Sequence, residues 1–260
     1  RATPSSPTIG PAMRPILYPA NIQEILDYGL HGFGMSRYSG AWIALKGTND
    51  TLEVTASVWA DPNRVSILTP TDFELPPGGL NLRKNDFPLP QEDRMVNWRL
   101  PAAQAYVRAN GLDKVAVDGP RRELGIVTAG KAYLDVRQAL VDLGIDETRA
   151  RQLGIRVFKL ALTWPVEPQG VTAFARGHKE VMVVEEKRAV IEEQLAHILY
   201  GLPASERPGL TGKKDPAGKV MLPANGELNA ALIREAIIER LRALGLADDT
   251  LEQRLAALKA

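Results

Sequence analysis

Thr128, Gly130 and Lys131 form a short cluster, Thr-Ala-Gly-Lys, where an apolar run gives way to a helical pattern. Free amides at a helix N-terminus attract phosphate, and a lysine strengthens that attraction. The spacing matches neither G-x-x-x-x-G-K-[ST] nor G-x-G-x-x-G. The same residues therefore also read as a tight strand–helix turn that needs a glycine. Glu185 and Glu186, followed by Lys187, close another apolar run. A carboxylate there can serve as a general base or bind a hydroxyl. It can equally favour the dipole of the next helix. Ser36-Arg37-Tyr38-Ser39 offers two serine hydroxyls and a guanidinium. That is a grip for a carboxylate or other anion, or else a solvated helix end.

The remaining polar residues are less directive. His31, His178 and His197 stand far apart, without H-x-x-x-H or H-E-x-x-H spacing, which argues against a protein zinc site. His31 reads as a packed or surface histidine. His197 lies one turn after Glu193, an i,i+4 pair. Lys213-Lys214 reads as a solvated turn. The sequence has no cysteine, which removes disulfides, a thiol nucleophile and cysteine-ligated iron–sulfur clusters from this chain. No Ser/His/Asp order with a nucleophile elbow is present, so these residues make no complete catalytic set.

The elements that would position these groups lie between Leu124 and Tyr200. Gly125–Thr128, Ile155–Leu160 and Val181–Val184 are short apolar runs, rich in β-branched or aromatic residues and bounded by turn formers. Each reads as a buried strand. They alternate with helical stretches, which predicts an α/β fold with a parallel-type sheet and covering helices. Ligands of such sheets sit beyond the carboxyl ends of the strands. Both the Thr128–Lys131 and Glu185–Lys187 clusters fall there. Tyr133, Val136, Leu140 and Leu143 mark one covering face, and Ile191, Leu195 and Ile198 another.

Before this unit, residues 1–15 carry Pro4, Pro7, Pro11 and Pro15 among Ser, Thr and Gly, and read as an extended tail or linker. Ile16–Tyr18 is a short strand closed by Pro19. Asn21 with Glu24 is a capping box before a helical stripe of Ile22, Ile25, Leu26 and Leu30. Trp42–Lys46 is ambiguous between helix and strand, and Val54–Trp59 alternates as a strand does. Residues 61–90 hold six prolines and read as a long irregular connection. Residues 91–110 return to helix with a break near Pro101, and Val115–Val117 is a further strand.

After it, Leu202–Asn225 is Pro/Gly-rich, and Gly212–Gly218 resembles a hairpin or surface turn. Leu228, Leu232, Ile237, Leu241 and Leu244 mark an amphipathic helix. Asp249 with Glu252 caps a last helix bearing Leu251, Leu255 and Leu258.

The 260 residues suffice for one large or two ordinary domains, with 45% hydrophobic and 24% charged residues as in a globular protein. The net charge of +1 gives no field that would draw nucleic acid or an anionic membrane. No apolar stretch approaches the ~18 residues of a membrane span, and no signal peptide is visible. The expectation is a cytoplasmic protein without nucleic-acid or membrane partners. The chain starts at Arg1, which suggests a processed product or a piece of something longer.

Several stretches in this order resemble one family: Pro15–His31, Ser36–Gly40, Gly125–Val136, Val183–Lys187 and Gly226–Leu228. They are similar to the long single-polypeptide bacterial indolepyruvate ferredoxin oxidoreductases, which are thiamine-diphosphate-dependent 2-oxoacid:ferredoxin oxidoreductases. The resemblance implies an internal segment. Residues 1–60 would be a Pro-rich tail with the end of a pyrimidine-binding domain, an incomplete α/β portion. Residues 61–112 would be linker and helix, 113–204 a transketolase C-terminal-like domain, and 205–260 a turn-rich segment with C-terminal helices. It further implies an enzyme that decarboxylates aryl-pyruvates oxidatively with coenzyme A and ferredoxin. Thiamine diphosphate, Mg and an iron–sulfur cluster would be held outside this segment, which would be inactive alone. Its partners would be the remaining domains, ferredoxin and a second copy in a homo-oligomer. Arg37, Thr128, Lys131 and Glu186 lie in the matching stretches and are the expected substrate or CoA contacts. The alternatives are a free-standing phosphate- or nucleotide-binding module and a purely structural or subunit-interface domain.

Overall fold

The computed structural model describes residues 13–81, 83–84 and 88–258. Pro4, Pro7 and Pro11 of the expected tail lie outside the described residues. In chain order the elements are β1 (Ile16–Leu17), α1 (Ile22–Ser39), β2 (Ala44–Leu45), α2 (Asn49–Leu52), α3 (Leu89–Arg94), a π-helical turn (Met95–Arg99), α4 (Leu100–Ala109), β3 (Lys114–Val117), β4 (Leu124–Ala129), α5 (Gly130–Asp142), α6 (Glu147–Leu153), β5 (Ile155–Leu160), β6 (Leu162–Trp164), α7 (Pro168–Ala175), β7 (Glu180–Val184), α8 (Ile191–Tyr200), β8 (Gly209–Thr211), α9 (Ala230–Ala243) and α10 (Asp249–Ala257). They divide into two compact units, Arg1–Asp113 with Leu160–Gly170, and Lys114–Lys159 with Val171–Ala260.

The second unit holds a five-stranded sheet of order β3-β5-β4-β7-β8. β4 pairs parallel with β7, and β7 with β8. The amides of Glu123 and Leu124 both donate to Gly154 O (3.0 and 3.1 Å). β4 and β5 thus begin at the same edge of the sheet and run the same way. β4, β5 and β7 are buried along their whole lengths, as strands covered on both faces must be. The three expected apolar runs are these strands. β3 runs antiparallel to β5 as an edge. β8 went unread because Gly-Leu-Thr has one apolar residue and no length for periodicity to show.

On one face, Leu124, Ile126, Val157, Met182 and Val184 of the sheet pack against three helices. Val136 and Leu140 come from α5, Ile233, Ile237 and Leu241 from α9, and Leu251 and Leu255 from α10. On the other face, Phe174 of α7 stacks on Phe158 (centroids 5.0 Å apart) and meets the His178 ring at a tilt (4.9 Å). Two expected stripes and one expected cap shift by one residue. In α8, Leu199 is buried and Ile198 only half-buried; in α9, Ile233 is buried where Leu232 was expected. α10 is capped by Asp248, whose Oδ1 accepts from Leu251 N (3.0 Å), rather than by Asp249. One residue is 100° around a helix, so adjacent apolar pairs leave the inward member undetermined until a neighbour is present.

The first unit holds a small sheet of order β2-β1-β6, with β1 parallel to β2 and antiparallel to β6. Tyr28 and Met35 of α1 pack on Ala103, Tyr106 and Val107 of α4. Asn21 Oδ1 accepts from Glu24 N (2.9 Å), the expected cap, and Glu24 Oε2 accepts from Ala20 N (2.8 Å). The expected stripe on α1 is corrected: its buried residues are Tyr28, His31, Met35 and Ser39, while Leu26 and Leu30 are exposed. The helix is apolar on more than one side, and aromatic packing decided which side turned inward. Val54–Trp59 forms no strand. Alternation needs a free sheet edge; instead the Gln23 side-chain amide bonds both Trp59 N (2.8 Å) and Trp59 O (3.2 Å). The expected break near Pro101 is the π-helical turn, closed by Leu100 N to Met95 O. Widening the helix there accommodates a proline that has no donor and would crowd the carbonyl one turn back.

Candidate functional site at the carboxyl edge of the second unit

The turn after β4 is built from Thr128, Ala129 and Gly130. Gly130 adopts φ +54°, a left-handed conformation that lets the chain pass directly from strand to helix. The N-cap of α5 is Ala129, which offers no side-chain acceptor to the first amides. The Thr128 side chain is fully buried, and its Oγ1 has no hydrogen-bond partner. Lys131 Nζ donates to Asp135 Oδ2 (3.1 Å) and Leu228 O (2.9 Å), with Glu227 Oε1 at 3.7 Å.

After β7, Glu185 is buried. Its carboxylate accepts from Val190 N (3.0 Å), Ile191 N (2.9 and 3.1 Å) and Glu192 N (3.0 Å). It thereby fills the N-terminus of α8, so of the two sequence readings Glu185 meets the helix-dipole one. Burial pushes its carboxyl pKa up, while those three amides and the Lys213 ammonium pull it down. Glu186 is half-buried in the following loop. Lys187 takes φ +65°, rare for a residue with a Cβ, and its Nζ donates to Gly226 O.

After β8, Gly212 lies against Glu192: a Cβ there would stand 2.3 Å from Glu192 Oε2. That same oxygen accepts from Lys213 N (2.9 Å). Lys213 corrects the solvated-turn reading. It is 9% exposed, and its Nζ donates to Glu185 O and to Pro223 O (3.3 Å). Burial pushes its ammonium pKa down, opposed by Glu185, Glu192 and Glu186. Lys214 is exposed and bridges to Val220, closing the expected hairpin. Lys159, near the end of β5, is fully buried with its ammonium 5.1 Å from the Tyr133 ring centroid. An apolar strand pattern hid Lys159, and a Gly/Pro-rich context hid Lys213.

Thr128, Lys131 and Glu186 thus belong to one unit and one strand edge. Arg37 belongs to the other unit, exposed in the last turn of α1. Beside it, Ser36 Oγ donates to Ala41 O (2.8 Å) and Ser39 Oγ to Met35 O (2.7 Å), so both hydroxyls finish the helix. His31 is a packed histidine: its Nδ1 meets Tyr106 Oη at 3.1 Å, and burial pushes its pKa down. His197 is exposed on α8. Among the described residues no three His, Asp or Glu side chains converge as a metal site would need. Among them, no helix is long and apolar enough to cross a membrane. At this edge the ammonium groups of Lys131, Lys187 and Lys213 are engaged by protein oxygens, and the buried carboxylate of Glu185 is committed to the amides of α8.

A family model described as the indolepyruvate ferredoxin oxidoreductase middle domain matches residues 113–260. The indolepyruvate oxidoreductase subunit IorA of Methanothermobacter marburgensis is 28% identical over 232 residues, 86% of this chain and 33% of that one. Its namesake from Pyrococcus horikoshii is 26% identical over 191 residues, 70% of this chain and 27% of that one. The chain therefore spans about a third of the length of these relatives. Among solved structures, the 2-oxoglutarate:ferredoxin oxidoreductase of Magnetococcus marinus, with 2-oxoglutarate, coenzyme A and succinyl-CoA bound, superposes with a TM-score of 0.50. The match has 15% identity and covers 88% of this chain and 42% of that one, a likeness of fold.

Proposed function

Because the chain belongs to the indolepyruvate ferredoxin oxidoreductase family, whose middle domain its residues 113–260 match, we propose that it is the non-catalytic middle of an aryl-pyruvate:ferredoxin oxidoreductase. The reaction joins the aryl-pyruvate to coenzyme A with loss of CO2. The thiol sulfur bonds to the carbonyl carbon, the carbon–carboxylate bond breaks, and two electrons leave to two oxidised ferredoxins with release of a proton. The observation that carries this reading is the extent of the family match, which covers the whole second unit from its first strand to its last helix.

In this reading thiamine diphosphate and its magnesium are held by domains outside this segment. A cysteine-ligated iron–sulfur cluster has no ligand in a chain without cysteine. The reading routes no step of the chemistry through this chain. Its contribution is a rigid sheet whose carboxyl edge presents Thr128 and Lys131 toward an anionic part of substrate or coenzyme A, and Glu186 toward a hydroxyl or amide of the same ligand. Arg37 is a second such contact, from the first unit. The partners in this reading are the further domains of the enzyme, ferredoxin and a second copy of the chain.

The test is product identification. The enzyme containing this chain is incubated with indolepyruvate, coenzyme A and oxidised ferredoxin, and thioesters are read by mass. The expected product is indole-acetyl-CoA. Succinyl-CoA or acetyl-CoA formed from the corresponding 2-oxoacids, with indolepyruvate left untouched, would replace the aryl-pyruvate assignment.

A further inference from the structure

Two buried side chains near the amino end of the second unit's sheet each keep one polar atom without a partner. Arg156, the second residue of β5, is 7% exposed, and His178, in the turn before β7, is 4% exposed. Arg156 Nε and Nη2 both reach Asp118 Oδ1 (2.7 Å each), and Nη1 has no hydrogen-bond partner among the described residues. His178 Nδ1 lies 3.3 Å from Ala175 O, while Nε2 has no partner among them. A carbonyl only accepts, so Nδ1 carries the proton and Nε2 is the bare acceptor of the neutral ring. Both groups border one aromatic side chain. Arg156 Cζ is 5.2 Å from the Phe174 centroid, and the His178 ring is 4.9 Å from it. Gly125 of β4 seats the arrangement: a Cβ there would stand 3.0 Å from Phe174 Cε1 and 3.2 Å from His178 Cδ2. Buried polar atoms are paired in the great majority of cases, so two such atoms around one ring call for a common explanation.

We propose that Arg156 Nη1 and His178 Nε2 hold a small monovalent anion of halide size, taken up together with a proton on Nε2. With the ring neutral, the pair is one donor and one acceptor, which a bridging water suits. Protonation makes both of them donors, and only a species that accepts from both then fits. Phe174 and His178 already touch the strand at Gly125, so a single-atom anion fits where a phosphate does not. The surrounding charges favour the exchange. They are Arg156 with Asp118, Arg122 whose Nη1 donates to Arg176 O (2.8 Å), Arg176 with Glu206, and Glu123 with Lys179 and Arg121. Glu180 is committed to Arg240. Cations outnumber carboxylates in the set around His178. Burial, then Arg156 and Arg122, accordingly oppose a proton on the ring. A buried charge persists when it is paired, and one anion between Arg156 and His178 supplies that pair.

The experiment follows the histidine rings of the 260-residue chain by NMR from about pH 7 to about pH 4, in sodium gluconate and in sodium chloride at equal ionic strength. The sequence has three histidines, so a His178→Gln variant assigns the His178 signal. In gluconate, His178 is expected to titrate at about 4. Chloride at ~0.1 M is expected to raise that midpoint by about one unit, as a tenfold excess over its dissociation constant does for an anion held only by the protonated ring. The loss of stability on acidification shrinks with it. Exposed His197 should not move, which separates binding from screening. Arg156→Lys keeps the charge without the planar fork of donors and is expected to weaken chloride about tenfold. Broadening of the chloride-35 signal at low pH reads the same site with Arg156 intact, and should be present in wild type and absent in His178→Gln. A His178 midpoint equal in chloride and gluconate overturns the proposal, leaving a bridging water at every pH. So does a rise that His197 shares, or broadening that survives in His178→Gln. These readouts need neither turnover nor another domain, so failure with aryl-pyruvates as substrates would leave the result standing.

Discussion

Replacing Glu185 with alanine isolates what its carboxylate does. Four N–H···O contacts at 2.9–3.1 Å join it to Val190, Ile191 and Glu192. The side chain is buried, so water cannot fully replace it. Loss of an ordinary N-cap costs about 0.5–2 kcal/mol. A hydrogen bond to a charged group contributes about 1.5–3 kcal/mol, and an orphaned buried donor costs about 1–3 kcal/mol. These overlap rather than add, which puts Glu185→Ala at roughly 3 kcal/mol. For a unit of this size that is about 6–12 °C in Tm. Glu185→Gln keeps one acceptor oxygen and the shape but loses the charge, and should fall near half that loss. Glu186→Ala, in the same loop but half-buried, should stay within about 0.5 kcal/mol. Chemical denaturation followed by far-UV circular dichroism reads all three. A Glu185→Ala midpoint equal to wild type, or a Glu186→Ala loss as large as that of Glu185→Ala, would refute the cap.

Three further perturbations probe the unit elsewhere. Arg240 donates twice to Glu180 at 2.7 Å with both side chains buried. Arg240→Ala strands that carboxylate and should cost about 3–5 kcal/mol in a denaturant titration, with Glu180→Gln in the same background restoring part of it. Burial, helped by Arg156, lowers His178 from 6.5 to about 4. The unfolded chain therefore binds a proton that the native state refuses as pH falls from about 6.5 to 4, and stability drops by roughly 3 kcal/mol across that window. Denaturant midpoints at pH 7 and pH 4 should show this component in wild type and not in His178→Gln; equal pH slopes would contradict it. Gly212→Ala drives a Cβ against Glu192 Oε2, breaks the Lys213 N–Glu192 bond and should cost about 1 kcal/mol, again read by denaturation.

The parts of the fold visible in the sequence were those that local chemistry sets by itself. Ile126, Val157 and Val183 lie in runs too apolar and too short to be anything but buried strands. Asn21 and Glu24 announce a helix start wherever the helix goes. What stayed hidden depended on a neighbour. Val54–Trp59 alternates as a strand but meets Gln23 instead of a sheet edge. Leu26 and Leu30 have helical spacing but face outward, because Tyr28 and Met35 found α4. In the candidate site, Thr128–Lys131 and Glu185–Lys187 were legible because strand ends mark themselves. Which glutamate would be buried was not, since it turns on three amides five to seven residues further on. Lys213 was the hardest: a lysine beside a lysine among Gly and Pro reads as solvent-facing, and only the segment around Pro223 folding back buries it.

The most direct test of the central claim is viologen reduction driven by indolepyruvate and coenzyme A, run on the enzyme containing this chain and on the chain alone. The account predicts coenzyme A-dependent reduction by the enzyme and none by the chain, even with added thiamine diphosphate and magnesium. Turnover by the isolated chain, or an enzyme that ignores every aryl-pyruvate while oxidising another 2-oxoacid, would contradict it.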